Sequence, residues 1–256
     1  MIVRFLLGKK PASAGFLFLG FLLIAAPVFA QDYERETRLN EQTLESLIEG
    51  DAQWLMQKNG HRFLALLIEV ENPKGAVILA HGRGWSPDVS IYGPLRRRLA
   101  EKGYTTLALQ MPVLGAQAKL IDYLEVYPDA AERFRAAEAF LKAKKYKKIA
   151  IVSHSVGASM ANYYLAGADR HDVNAWVFIS IVNGLDQMFR IKIPVLDVYG
   201  EADWDVTRWG AAERLKQIKR VSGSEQKVVP NAGHFFEGQE EALTDVIASF
   251  LSRNLH

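Results

Sequence analysis

Ile149-Ala150-Ile151-Val152-Ser153-His154-Ser155-Val156-Gly157 is the stretch that decides how this chain is read. The apolar, β-branched start predicts a buried strand, and the run from Ala158 to Ala166 predicts a helix. Between them Ser155 stands in a turn, with Ser153 two residues before it and Gly157 two after. A strand, a tight turn carrying a serine and then a helix is the geometry of a nucleophile elbow. Such a turn lifts one hydroxyl above the sheet edge and aims the first free helical N–H groups at whatever binds there. Crowding requires small residues at both flanking positions. The usual pattern is G-x-S-x-G, so Ser153 is a departure from it.

Two further residues follow in order. Val195-Leu196-Asp197-Val198-Tyr199 reads as a buried strand, with Gly200-Glu201-Ala202-Asp203 directly after it. Val228-Val229-Pro230 ends another strand, and Asn231-Ala232-Gly233-His234 follows. A chain order of Ser, Asp, His, each just past a strand, matches the α/β-hydrolase arrangement and differs from the order in other serine-hydrolase scaffolds. On these residues the chain resembles the α/β-hydrolase superfamily from about Phe63 to Leu251, and it is similar to exported bacterial members with no assigned substrate. The resemblance implies a mostly parallel sheet with helices on both faces.

The chemistry needs each residue type. A serine hydroxyl is a weak nucleophile until a base takes its proton. His234 is the expected base, and Asp203 the acid that fixes its tautomer. The attacked carbonyl becomes an oxyanion, which the backbone N–H of Val156 should face. By resemblance, the N–H of Arg83, in His81-Gly82-Arg83-Gly84, is the second donor.

Plainer roles compete. Ser155 alone could be a helix N-cap. Ser153 reads as a strand-end hydroxyl bonded to backbone, and His154 as packing beside the turn or facing solvent. His81 reads as a brace for its loop. The Arg83 side chain is either exposed or an attractor of anions. Asp197 reads as a bonded structural carboxylate. Asp205 competes with Asp203. Trp85, Tyr92, Trp204, Phe235 and Phe236 line a cleft or pack in the core and rim.

Composition sets the frame. The 256 residues carry 31 Lys+Arg, 29 Asp+Glu, 9 prolines and 19 glycines, values for one ordinary domain. The first 30 residues read as a secretory signal peptide: Arg4, Lys9 and Lys10, an apolar core from Phe16 to Ala26, and Val28-Phe29-Ala30 before a polar turn at Gln31. That segment holds three basic residues and no acidic ones, so cleavage leaves 28 against 29 and a net charge near −1. Nothing in this balance suggests nucleic acid, and Lys142 to Lys148 reads as a solvated helix end. The absence of cysteine excludes disulfides and a thiolate nucleophile. The six histidines show no metal-ligand spacing, and the glycines do not match dinucleotide binding. No metal or cofactor is expected.

Along the chain, residues 31–50 read as an N-terminal arm. Leu39, Leu44, Leu47 and Ile48 are spaced for a short amphipathic helix. The domain then spans 51–256. Ala52 to Lys58 and Arg62 to Glu69 predict an edge hairpin, with Asn59-Gly60 as a type I′ turn. Strands are predicted at Gly75–Ala80, Tyr104–Leu109, Lys148–Val152, Ala175–Ile181, Val195–Tyr199 and Gln226–Val229. Helices are predicted at Tyr92–Lys102, Pro128–Lys144, Thr207–Lys219 and Glu240–Ser252. Uniformly apolar strands alternating with helices imply a parallel sheet covered on both faces. The inserts are Pro112 to Tyr127 and Asn183 to Ile193. The latter is too short for a cap domain, so an open cleft is expected.

The expected function is that of an exported serine hydrolase, periplasmic or secreted from a Gram-negative cell. It would cleave a carboxylic ester or related acyl bond in a small or lipid-like substrate, and meet the membrane only through its leader. The alternative is a non-catalytic binding or envelope-assembly protein on the same fold, for which Ser153 is the single point in favour.

Overall fold

A computed structural model of the chain describes residues 31–168, 170–182 and 184–255. The expected signal peptide lies outside the described residues.

Eight strands form one sheet in the order β1-β2-β4-β3-β5-β6-β7-β8. β1 (Asp51–Met56) and β2 (Arg62–Ile68) make the edge hairpin, and β2 also runs antiparallel to β4 (Thr105–Leu109). β3 (Ala76–Ala80), β5 (Ile149–His154), β6 (Val173–Ile179), β7 (Val195–Gly200) and β8 (Glu225–Val229) continue from β4 in parallel. The β3 side chains alternate between two cores. Ile78 and Ala80 join one, with Leu107, Ile151 and Trp176. Val77 and Leu79 join the other, with Val152, Val177 and Leu196. A sheet covered on both faces is largely apolar on both, which is why its central strands read as hydrophobic runs; Asp197 in β7 and the polar start of β8, Glu225-Gln226-Lys227, are departures.

Helices α3 (Tyr127–Ala143) and α4 (Val156–Gly167) cover the first face. α2 (Tyr92–Glu101) and α7 (Glu240–Asn254) cover the second. α7 buries Leu243, Ile247, Phe250 and Leu251, the 3.6-residue pattern. The insert between β4 and α3 contains a short 3₁₀ segment, Ile121–Val126. Among the described residues between β6 and β7 there is only the 3₁₀ turn Met188–Arg190, so no cap domain is built there.

Three local expectations are corrected. In the hairpin, only Gly60 of the Asn59-Gly60 pair takes positive φ, at +87°. The connection is longer than a two-residue turn and is closed by Gly60 N–H to Gln57 O (3.0 Å) and Gln57 N–H to His61 O (2.9 Å). One left-handed glycine after a turn suits a three-residue loop. The helix expected over Thr207–Lys219 is two, α5 (Asp205–Trp209) and α6 (Ala211–Ile218), divided at Gly210. The break lets the Arg214 guanidinium turn back to the Thr207 carbonyl at 2.7 Å.

The arm helix α1 (Tyr33–Glu45) forms, but it does not dock through the apolar spacing. Leu44 and Ile48 are exposed, Leu39 and Leu47 only partly covered, and the buried residues are Glu36, Asn40 and Thr43. Glu36 accepts from Arg133 Nη2 on α3 at 2.8 Å, with both side chains almost fully buried. A buried ion pair, rather than a leucine stripe, holds this helix down.

Candidate active site

The parallel strands β3, β5, β7 and β8 deliver their following loops to one end of the sheet, where open α/β sheets carry their crevice. Gly82 and Arg83 follow β3, Ser155 follows β5, Asp203 follows β7 and His234 follows β8. Gly82, Arg83, Ser155 and His234 meet at one pocket of about 330 Å³, which Trp85, Leu120, His154, Trp204 and Phe235 complete. Asp203 lies behind His234, buried.

Ser155 has φ 54° and ψ −122°, a conformation that costs a non-glycine residue about 1–3 kcal/mol. The surroundings enforce it. The Ser155 N–H donates to Ile179 O at 2.9 Å, and α4 begins at the next residue. A Cβ on Gly157 would stand 2.3 Å from the His81 carbonyl oxygen, so no side chain fits there. The other flanking position is different. Ser153 is buried in the strand, its Oγ accepting from Trp176 Nε1 (2.9 Å) and donating to Val177 O (3.2 Å). The missing glycine of the motif is thus a hydroxyl bonded to the neighbouring strand, away from the turn.

His234 Nδ1 lies 2.7 Å from Asp203 Oδ1, and His234 Nε2 lies 3.2 Å from Ser155 Oγ. A carboxylate only accepts, so Nδ1 carries the proton and Nε2 presents a lone pair to the serine. Asp203 also accepts from the Ser180 hydroxyl and, at 2.7 Å, from the Trp204 N–H. Burial pushes its pKa up, but the hydrogen bonds from His234, Ser180 and Trp204 outweigh burial and hold it below the ordinary value. The Asp203 and His234 loops are joined by Ala202 N–H to Ala232 O at 2.9 Å, and only glycine fits at position 200, where a Cβ would meet that oxygen at 2.2 Å. Asp205, the competing carboxylate, is exposed at the start of α5 and pairs with Arg208. Asp197 faces Arg214 instead, with Nε at 2.8 Å.

Val156 is the first residue of α4, a position whose N–H has no intrahelical acceptor. Arg83 borders the same pocket, with its side chain turned away to Ala118 O at 3.2 Å. The five aromatic candidates divide. Trp85, Trp204 and Phe235 line the pocket, whereas Phe236 is in the core and Tyr92 is buried beneath. Trp204 stacks on His234, ring centroids 3.6 Å apart at 5°.

Two buried histidines brace the site. His81 Nδ1 donates to Gly82 O at 2.8 Å, and its Nε2 accepts from Met111 N–H at 2.8 Å. His154 Nε2 donates to His234 O at 2.9 Å, leaving Nδ1 to accept from the Tyr92 hydroxyl at 2.7 Å. That hydroxyl in turn accepts from Gly82 N–H at 2.8 Å. One chain of hydrogen bonds therefore ties the β3 loop to the His234 loop through Tyr92 and His154. Burial drives the pKa of each histidine down to about 3, so both are neutral.

Sequence reasoning missed Ser180, the Tyr92–His154 bridge and Arg35. Arg35 reaches from α1 to Leu114 O (2.5 Å) and Gly84 O (3.3 Å), bracing the β3 loop. No local pattern marks these residues, because their partners are 23 to 79 positions away.

Comparison with known proteins bears on the fold. A family described as "Protein of unknown function (DUF3530)" matches residues 24–123. Protein ABHD14A of Mus musculus is 25% identical over 165 residues, 63% of this chain and 63% of its own length. The Homo sapiens protein of that name is 26% identical over 62% of this chain and 56% of its own length. The chain thus spans less than two thirds of these relatives. Among solved structures, the Pyrococcus furiosus esterase Pf2001 superposes with a TM-score of 0.67 at 19% identity, covering 84% of this chain and 94% of its own. A dienelactone hydrolase from Anabaena variabilis gives 0.63 at 20% identity, covering 81% and 99%. A lidless α/β serine hydrolase from Xanthomonas campestris gives 0.63 at 18%, covering 80% and 94%. The sheet order, the strand-end loops and these likenesses agree: the chain has the fold of the α/β-hydrolase superfamily.

Proposed function

We propose that this protein is a serine hydrolase that cleaves a carboxylic ester or related acyl bond through an acyl-enzyme on Ser155. The observation that carries the reading is the hydrogen-bonded series Asp203–His234–Ser155, ending on a hydroxyl in a strained turn beside an open pocket. His234 Nε2 takes the Ser155 proton as Oγ bonds to the acyl carbon. The carbonyl electrons move onto oxygen, which the N–H groups of Val156 and Arg83 receive, each contributing about 3 kcal/mol of transition-state stabilisation. Collapse breaks the bond to the alcohol, which leaves with the proton from His234. Water then gives a proton to His234, bonds to the acyl carbon and releases the acid, and the proton returns to Ser155.

The esterases and hydrolases that share the fold support this reading. Ser153 lends no weight to a binding-only protein, because its hydroxyl is held inside the sheet. A fluorophosphonate is expected to label Ser155, and p-nitrophenyl acetate turnover to vanish in Ser155→Ala. Labelling elsewhere, or undiminished turnover in that variant, would refute the assignment. Export belongs to the same proposal and rests on residues 4–30. N-terminal mass spectrometry of periplasmic protein should find Gln31 first; an intact Met1 would overturn it.

A further inference from the structure

The proposed reaction makes His234 an imidazolium twice, once as Ser155 gives up its proton and once as water does. Asp203 meets that charge at Nδ1, 2.7 Å away on the edge of the ring. The ring is buried, so water does little to solvate its faces.

Trp204 covers one face. Its indole lies parallel to the imidazole, with centroids 3.6 Å apart and planes 5° apart. An aromatic face is the negative side of a quadrupole and attracts a cation laid over it, tryptophan most strongly. A neutral imidazole gains much less from the same contact. The indole therefore favours the charged ring over the neutral one, and only such a difference lowers a barrier. The neighbouring rings are placed otherwise. Phe235 stands perpendicular to His234 at 5.0 Å, and His154, tilted by 55° at 4.9 Å, is itself neutral.

The indole is held in this pose. The Trp204 N–H donates to Asp203 Oδ1 at 2.7 Å, and the Trp204 carbonyl accepts from Thr207 N–H (3.0 Å) and Arg208 N–H (3.1 Å) at the start of α5. Phe235 meets the indole at 85°, 6.1 Å between centroids. One residue thus touches the acid through its backbone and the base through its ring. Core burial does not account for its place, because the residue is 46% exposed.

We infer that Trp204 stabilises the His234 imidazolium through its indole face and is a positioning residue of the proposed reaction. This rests on the serine-hydrolase reading above. No bond forms or breaks on Trp204; the proton still moves between Ser155 Oγ and His234 Nε2.

The first test is p-nitrophenyl acetate turnover by Trp204→Leu and Trp204→Phe. kcat should fall about three- to tenfold in Trp204→Leu and less in Trp204→Phe, whose ring keeps a weaker face. A loss carried by KM alone would make Trp204 a mere wall of the pocket and overturn the inference. The second test is an NMR titration of the His234 ring in Ser155→Ala, which needs no turnover. Adding Trp204→Leu should move protonation of the ring to lower pH by about 0.5 to 1 unit, since the charged form loses its partner. If the indole only excludes water, its loss lets water solvate the charged ring, and the titration moves to higher pH instead. That outcome, or no movement, overturns the inference. The downward shift in a protein that cleaves no ester keeps the contact and rejects the hydrolase. Ester turnover that depends on Ser155, without the downward shift, does the reverse.

Discussion

Asp197 and Asp203 are both buried and leave the same stretch of chain, yet they face opposite kinds of partner. Asp197, inside β7, is surrounded by fixed donors: Arg214 Nε at 2.8 Å and Gln226 Nε2 at 2.7 Å. Asp203, in the loop beyond, meets an imidazole whose other nitrogen looks into a pocket. A carboxylate opposed to a permanent cation can only brace, since guanidinium does not give up its proton. A carboxylate opposed to histidine fixes a ring that can still accept one. Burial alone does not separate a structural carboxylate from a candidate catalytic one. The partner does.

The largest expected effect tests that distinction directly. Asp203→Asn should lower kcat by about 10⁴, by putting His234 in the wrong tautomer, while the fold stays intact. Asp197→Asn should retain turnover within about tenfold. Ester hydrolysis and thermal unfolding of both variants decide, and equal losses of turnover would break the comparison.

The next effect is on stability. Arg214→Met leaves Asp197 buried opposite no cation, which should cost about 3–5 kcal/mol in urea unfolding. Its folded fraction should still turn over substrate. A stability change below about 1 kcal/mol would mean that the Asp197 site admits water.

A pH series sharpens the contrast between site and scaffold. His81 and His154 have folded pKa values lowered to about 3 by burial, whereas the unfolded chain binds their protons near the ordinary value. Their stabilising contribution is complete above about pH 6.5 and is lost as pH falls towards 3. The slope is on the order of 1 kcal/mol per pH unit for each. Asp203, also lowered, keeps its contribution until the pH falls below about 4, the unfolded carboxylate range. Urea midpoints at pH 7.5, 6 and 5 should therefore fall before Asp203 begins to titrate, and His154→Gln should flatten the fall. Midpoints constant over that range would show that the two rings charge in place.

The smallest effect is expected at Asp205. Its carboxylate pairs with Arg208 at the exposed start of α5. Asp205→Asn should change stability by less than about 1 kcal/mol and leave turnover intact. Loss of turnover there would transfer the role of Asp203 to its neighbour.

Much of this was legible in the chain because it is locally encoded. Ile149 to Gly157 determined a strand, a turn and a helix, since β-branched residues favour the pleat and only a residue without a side chain fits at Gly157. The order Ser155, Asp203, His234 and the mostly apolar strands determined the parallel sheet and the end at which its loops gather. The arm was misread for the opposite reason. Leu39, Leu44, Leu47 and Ile48 suit a helical period, but α1 ends at Glu45 and docks through Glu36, whose partner Arg133 lies 97 residues away. No periodicity announces a buried ion pair. Likewise Ser180 on Asp203, the Tyr92–His154 bridge and the stacking of Trp204 on His234 depend on which loops the sheet brings together. Sequence patterns record what a residue requires of its neighbours along the chain. Tertiary structure alone decides which distant polar group satisfies a buried one, because that choice is made by geometry when the layers pack.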